Sequence, residues 1–180
     1  MAKRIVLILV VCLIALSGVF ADELKRDVIR VSVIPSSFQI IKIGDDAYRS
    51  SDGFGLSAGY MKNVWKGLSV GGSLEWTNYK QDKLLSYGAF NNIALLAEGS
   101  YRLDLSEKVF AQAGLGLGYE MCIVGKEGVT NSFIAELSGN LGIGIDNRFS
   151  VVGGVKAKIA VQNGTNIYSV LPSVGTEISL

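Results

Sequence analysis

Residues 109–121, VFAQAGLGLGYEM, and 133–145, FIAELSGNLGIGI, read as two strands joined by one loop. In the first, Val109, Ala111, Ala113, Leu115, Leu117, Tyr119 and Met121 alternate with Phe110, Gln112, Gly114, Gly116, Gly118 and Glu120. In the second, Phe133, Ala135, Leu137, Gly139, Leu141, Ile143 and Ile145 alternate with Ile134, Glu136, Ser138, Asn140, Gly142 and Gly144. Successive side chains of a pleated strand leave opposite faces, so this period of two means β-structure. Each run exceeds ten residues and puts no charge on its apolar face. That length and polarity suit a strand that crosses a membrane.

The same grammar extends in both directions. Upstream, residues 28–34, 53–61, 68–79 and 92–102 alternate apolar with small or polar residues, and downstream residues 149–161 and 168–180 do so. Pro35 cannot donate to a ladder, so the first strand ends or bulges there. Residues 36–52 form a long connection whose apolar piece, 38–43, can extend a strand. Residues 81–88 and 124–131 are the other long connections, while Asn63 to Lys66, Asp104 to Glu107 and Asp146 to Arg148 supply short turns. Asn163-Gly164 is the strongest hairpin signal in the chain. Eight strands with short and long connections in alternation predict an all-β, eight-stranded antiparallel up-and-down barrel.

The first 21 residues are read apart from the barrel. Lys3 and Arg4 precede an apolar run from residue 5 to 16, and Val19 and Ala21 stand at the minus-three and minus-one positions of a cleavage site. This predicts a signal peptide over 1–21 and a barrel domain over 22–180. Loss of two basic residues leaves the mature chain near neutral, with no electrostatic case for nucleic acid. Cys122 is its single cysteine, so no internal disulfide is expected.

Alternation alone does not choose between a membrane barrel, apolar side out, and a soluble lipocalin-like binder, apolar side in. Residue size and charge favour the first. The polar face is mostly Gly, Ser, Ala and Asn, too small and too sparsely charged to coat a protein in water, yet suited to a crowded bore. On the apolar face, Phe54, Trp76, Tyr119, Phe133 and Tyr168 fall toward one rim and Tyr60, Tyr101 and Phe149 toward the other. Rings with one apolar and one polar end prefer those interfaces.

In this pattern the chain resembles the small eight-stranded bacterial outer-membrane barrels of the OmpA transmembrane domain, OmpX and OmpW types. The resemblance spans residues 28–180 and rests on alternation rather than on a sharp motif. Val174, Thr176 and Ile178 match the alternating closing strand of such barrels, with Leu180 in place of the terminal aromatic. It implies residence in the outer membrane as a monomer among outer-membrane lipids. Periplasmic chaperones and the barrel-assembly machinery would serve its biogenesis, and the outer connections at 36–52, 81–88 and 124–131 would meet any extracellular ligand.

The polar faces carry Arg30, Glu75, Glu98, Arg102, Glu120, Glu136, Lys156, Lys158 and Glu177. The turn at residues 146–148 sets Glu136 opposite Lys158, and closing the last strand on the first sets Glu177 near Arg30. Buried charges must be paired, so these predict a salt-bridged lumen, with a selective solute path as the sharper alternative. Gly114, Gly116 and Gly118 lie inside a strand rather than between a strand and a helix, so they relieve crowding and do not cradle a dinucleotide. Without histidine the chain has no Ser-His-Asp arrangement and no His-based zinc site. The histidine-dependent outer-membrane enzymes are disfavoured for the same reason. Asp45, Asp46 and Asp52 lack calcium-loop spacing, so neither metal nor cofactor is expected. Three roles follow: a structural or surface-interaction barrel, a small-solute conduit of OmpW type, or a soluble binder with its faces inverted.

Overall fold

The computed structural model describes residues 27–44, 46–50, 53–79, 90–124, 128–162 and 165–180. The expected signal peptide and the connection at 81–88 lie outside them, as do Asp45, Asp52 and Asn163-Gly164. Ten strand segments appear: β1 (Val28–Ile34), β2 (Phe38–Ile43), β3 (Asp46–Ser50), β4 (Phe54–Trp65), β5 (Leu68–Tyr79), β6 (Phe90–Asp104), β7 (Val109–Val124), β8 (Gly128–Gly144), β9 (Phe149–Gln162) and β10 (Thr165–Ser179). Each pairs antiparallel with its neighbours, and β1 closes the sheet on β10. β1 and β2 run end to end along β10, and β3 and β4 share the next place in the wall, so ten segments make an eight-stranded barrel.

Proline explains the one break in closure. The chain has two prolines, and both sit at the seam between the first and last strands. Val33 pairs Val174 and Phe38 pairs Val170, so five steps on the first strand meet four on β10. Pro35 lies in that interval on one side and Pro172, paired with Val155 on its other flank, lies in it on the other. Neither can donate to the ladder, so the extra residue falls where no bond is forfeited.

The end that carries the termini is tightly tied. Leu180 donates to the Asp27 carbonyl and Ser179 to the Arg148 carbonyl, both at 2.8 Å. Asp146 accepts from the amides of Arg148 and Phe149 at 2.7 and 2.8 Å, and those bonds hold its carboxyl below the usual range. Gly67 turns β4 into β5 at φ +80°, where a Cβ would also stand 2.4 Å from the Arg102 carbonyl oxygen. Only glycine suits that corner.

Three boundaries differ from the sequence reading. The connection at 36–52 is largely a hairpin, β2 with β3. Of the loop expected at 124–131, Val124 belongs to β7 and Gly128 to Asn131 belong to β8, because those strands run 16 and 17 residues. β10 starts at Thr165 rather than Tyr168. The cause is common to all three: a ladder needs only backbone partners, so pairing continues after the apolar face has ended.

Side chains alternate about the wall as expected, with the apolar set outside. Leu95 and Leu115 are 65% and 64% exposed, whereas Glu75 and Lys158, facing the bore, are 1% and 2% exposed. The bore is full. A Cβ on Gly118 would lie 2.0 Å from the Leu95 carbonyl oxygen, and one on Gly142 2.1 Å from the Phe110 ring. Gly118→Ala must therefore push β6 from β7, and we expect a loss of about 1–3 kcal/mol, read as a lower urea midpoint for unfolding from lipid vesicles.

Candidate functional site: the charged bore

Charges enter the bore from seven strands, and three layers of contacts hold them. Nearest the termini, β1 and β10 put Arg30 opposite Glu177 in register. Arg30 donates to Glu177 through Nε at 2.9 Å and through Nη2, and Nη2 also reaches Gln112. Gln112 donates in turn to Ser100 at 2.8 Å. Arg102 adds a longer ion pair to Glu177, 3.8 Å, and one to Asp104, 2.8 Å. Its guanidinium lies 3.5 Å over the ring of Phe110, which is fully buried. A cation on an aromatic face is attracted by the ring quadrupole, so this pair closes the mouth at that end.

The middle and upper layers share one carboxylate. Glu75 accepts Lys156 at 3.1 Å on Oε2 and Lys158 at 2.8 Å on Oε1. Lys156 also contacts Glu136 at 3.2 Å, and Lys158 contacts Glu120 at 2.6 Å. Asn92 donates to the other Glu120 oxygen at 3.0 Å. The two lysines lie two residues apart on one face of β9, so they rise along the bore as successive rungs. Glu98 stands beside this group and accepts from Ser73. Arg30, Ser57, Met61, Ser73, Glu98 and Lys156, with Gly59, line a gap of about 10 Å³, room for roughly one water.

The nine residues expected in the lumen thus divide by height. Glu75, Glu120, Glu136, Lys156 and Lys158 form one connected cluster; Arg30, Arg102 and Glu177 form another, and Glu98 lies between them. The expected facing of Glu136 and Lys158 is their backbone register, but the ion pairs are diagonal, with Glu136 on Lys156 and Lys158 on Glu120 and Glu75. Sequence reading missed Asn92, Gln112, Ser73 and Phe110 as partners. Their inward parity was visible, but nothing in the sequence said what they would meet. An apolar patch of Ala94, Leu96, Ile134 and Ala160, with Ile167 against it, fills one side of the bore.

The aromatic set sits on the outer wall. Tyr60, Tyr101 and Phe149 ring the end with the termini, and Phe54, Trp76, Tyr119, Phe133 and Tyr168 lie toward the other. Phe54 and Trp76 stack edge to face with centroids 6.3 Å apart. Cys122 is a free thiol, partly buried. Among the described residues no group of three or more Cys, Asp or Glu is placed to hold a metal ion.

No family model and no curated protein sequence matches the chain. Solved structures do. Neisserial surface protein A superposes with a TM-score of 0.65 at 15% identity, covering 88% of this chain and 100% of that one. Ail, the attachment invasion locus protein of Yersinia pestis, gives 0.56 at 14% identity, over 87% and 100%. A de novo designed transmembrane β-barrel gives 0.50 at 8%, over 88% and 98%. A designed protein has no evolved partner, so the likeness belongs to architecture and carries no activity. The chain has the fold of the small eight-stranded outer-membrane β-barrels.

Proposed function

We propose that this chain is a bacterial outer-membrane barrel with its termini toward the periplasm. Its bore is a salt-bridged plug, and its role is structural or surface-interacting, exercised from the end opposite the termini. The supporting observation is the inverted polarity of the wall. Lipid is the solvent that tolerates a continuous coat of Leu, Val, Ile and Phe and makes no demand for charge outside. The connected lysine and glutamate cluster supports the plug, because eight strands leave room for little beyond side chains. The β2–β3 and β7–β8 hairpins, carried past the apolar belt, are the surfaces that a partner outside the cell would meet. An enzymatic role finds no support in a bore without histidine.

Expression in a double-membraned bacterium tests this directly. The mature chain is expected in the outer-membrane fraction, beginning at Asp22, and its gel mobility should shift on boiling, as a folded barrel unfolds. Recovery in the soluble periplasm would falsify it in favour of the lipocalin-like binder. The gap beside Glu98 and Lys156 favours a second reading, a small-solute conduit. In planar bilayers the plug should give no steady conductance. Steps that vanish in Glu98→Gln or Lys156→Met would replace the plug with the conduit.

A further inference from the structure

On the outer wall, at the end away from the termini, two cations face away from the bore. β2 presents Phe38, Ile40 and Lys42 outward, and Arg49 of β3 pairs in register with Ile40. Lys42 and Arg49 are both exposed and stand diagonally on adjacent strands, a spacing that long side chains bridge with ease. On the other flank Ile40 pairs with Tyr168, and the Lys42 ammonium lies 5.8 Å over that ring. The outward positions at similar height on neighbouring strands, Asn166 of β10 and Asn131 of β8, are uncharged. Among the described residues Lys42 and Arg49 are the outward-facing cations of this end.

We propose that Lys42, Arg49 and Tyr168 form a site for the phosphate of a membrane lipid headgroup. The argument is one of position. Ile40 stands level with Arg49, and Phe38 and Val170 come directly below the pair, all exposed and apolar, and Tyr168 belongs to the aromatic rim. Cations on long stems just beyond such a rim occupy the headgroup plane, where a phosphate oxygen is the available anion. A guanidinium offers two parallel donors to one phosphate, an ammonium adds a point charge, and the Tyr168 hydroxyl adds a third donor. A lipid held there would lay its acyl chains along the apolar strip beneath. Free phosphate would gain nothing from that strip, so the site commits to a lipid. This inference rests on the membrane reading above.

The test uses the full mature barrel in micelles of an uncharged detergent, with native mass spectrometry to count bound lipid. Dioleoyl phosphatidic acid should be retained in preference to dioleoylglycerol, which has the same chains and no phosphate. The double variant K42Q/R49Q should lose that preference by roughly thirtyfold, the worth of two surface cations on an anionic lipid. Lys62→Gln, at the opposite rim, should keep it, and K42R/R49K should restore most of it. Equal retention of both lipids by the wild type overturns the site without need of a variant. Undiminished retention by K42Q/R49Q overturns it too, and displacement by millimolar inorganic phosphate overturns the commitment to a lipid. Boiling-dependent gel mobility, run on every sample, separates the two readings. A folded barrel with no phosphate preference sinks this site alone, whereas a chain that never folds in detergent or lipid sinks the membrane reading beneath it.

Discussion

Lys158→Met is expected to cost about 3–5 kcal/mol of folding stability, a large effect for one side chain. The Lys158 ammonium lies 2.8 Å from Glu75 and 2.6 Å from Glu120, and all three groups are almost wholly buried. Methionine fills the volume, so the loss is electrostatic rather than a cavity. Glu75 keeps Lys156, but Glu120 is left with only the Asn92 amide. An uncompensated carboxylate in a narrow bore is the costly product. Urea unfolding from vesicles, followed by the fluorescence of the two tryptophans, should show the midpoint fall. Adding Glu120→Gln should restore much of the loss, since it removes the stranded charge and leaves an amide that Asn92 can still reach. A double-mutant cycle on these two positions should give a coupling of about 1–3 kcal/mol. Zero coupling would mean that Lys158 and Glu120 do not meet. Lys66→Met, in an exposed turn, is the control and should stay within about 0.5 kcal/mol of wild type.

The contrast between register and ion pairing also marks how far the sequence could be read. Alternation gave the strands and their two faces, because the pleat imposes a period of two whatever the fold above it. Tight turns gave adjacent registers: Glu136 against Lys158 follows from the turn at residues 146–148, and Arg30 against Glu177 from closure of the last strand on the first. Pairs across the bore were not legible. Glu75 and Lys156 are 81 residues apart, and whether they meet depends on strand tilt and shear, which belong to the closed barrel and to no single hairpin. Strand ends were misjudged for a related reason. Asn131 ended the apolar face of β8, yet backbone pairing with β7 continues through to Gly128. Leu96, Ile134 and Leu171 show the same limit from inside, since a residue on the polar side of the alternation need not be polar once neighbours seal it from water.

Leu115→Arg carries the second large effect and tests the orientation of the wall. Leu115 points outward from the middle of β7, opposite Leu137 on β8 and Gly99 on β6. The outward apolar run on β7 begins at Val109 and reaches its aromatic at Tyr119, which places Leu115 well within the belt. An arginine on the lipid face at mid-depth costs about 2–4 kcal/mol and one near an interface about 0–1. Ile145→Arg, beside the turn at the terminal end, should therefore be nearly silent in the same vesicles. The two positions are equally exposed, Leu115 and Ile145 both standing at 64%. In a soluble protein both substitutions would replace an exposed apolar side chain with a solvated one at little cost. Only a low-dielectric slab around the barrel makes one position expensive and leaves its twin cheap. Depth dependence in vesicle refolding is therefore the signature expected, and equal, small effects at both positions would turn the apolar face back toward water.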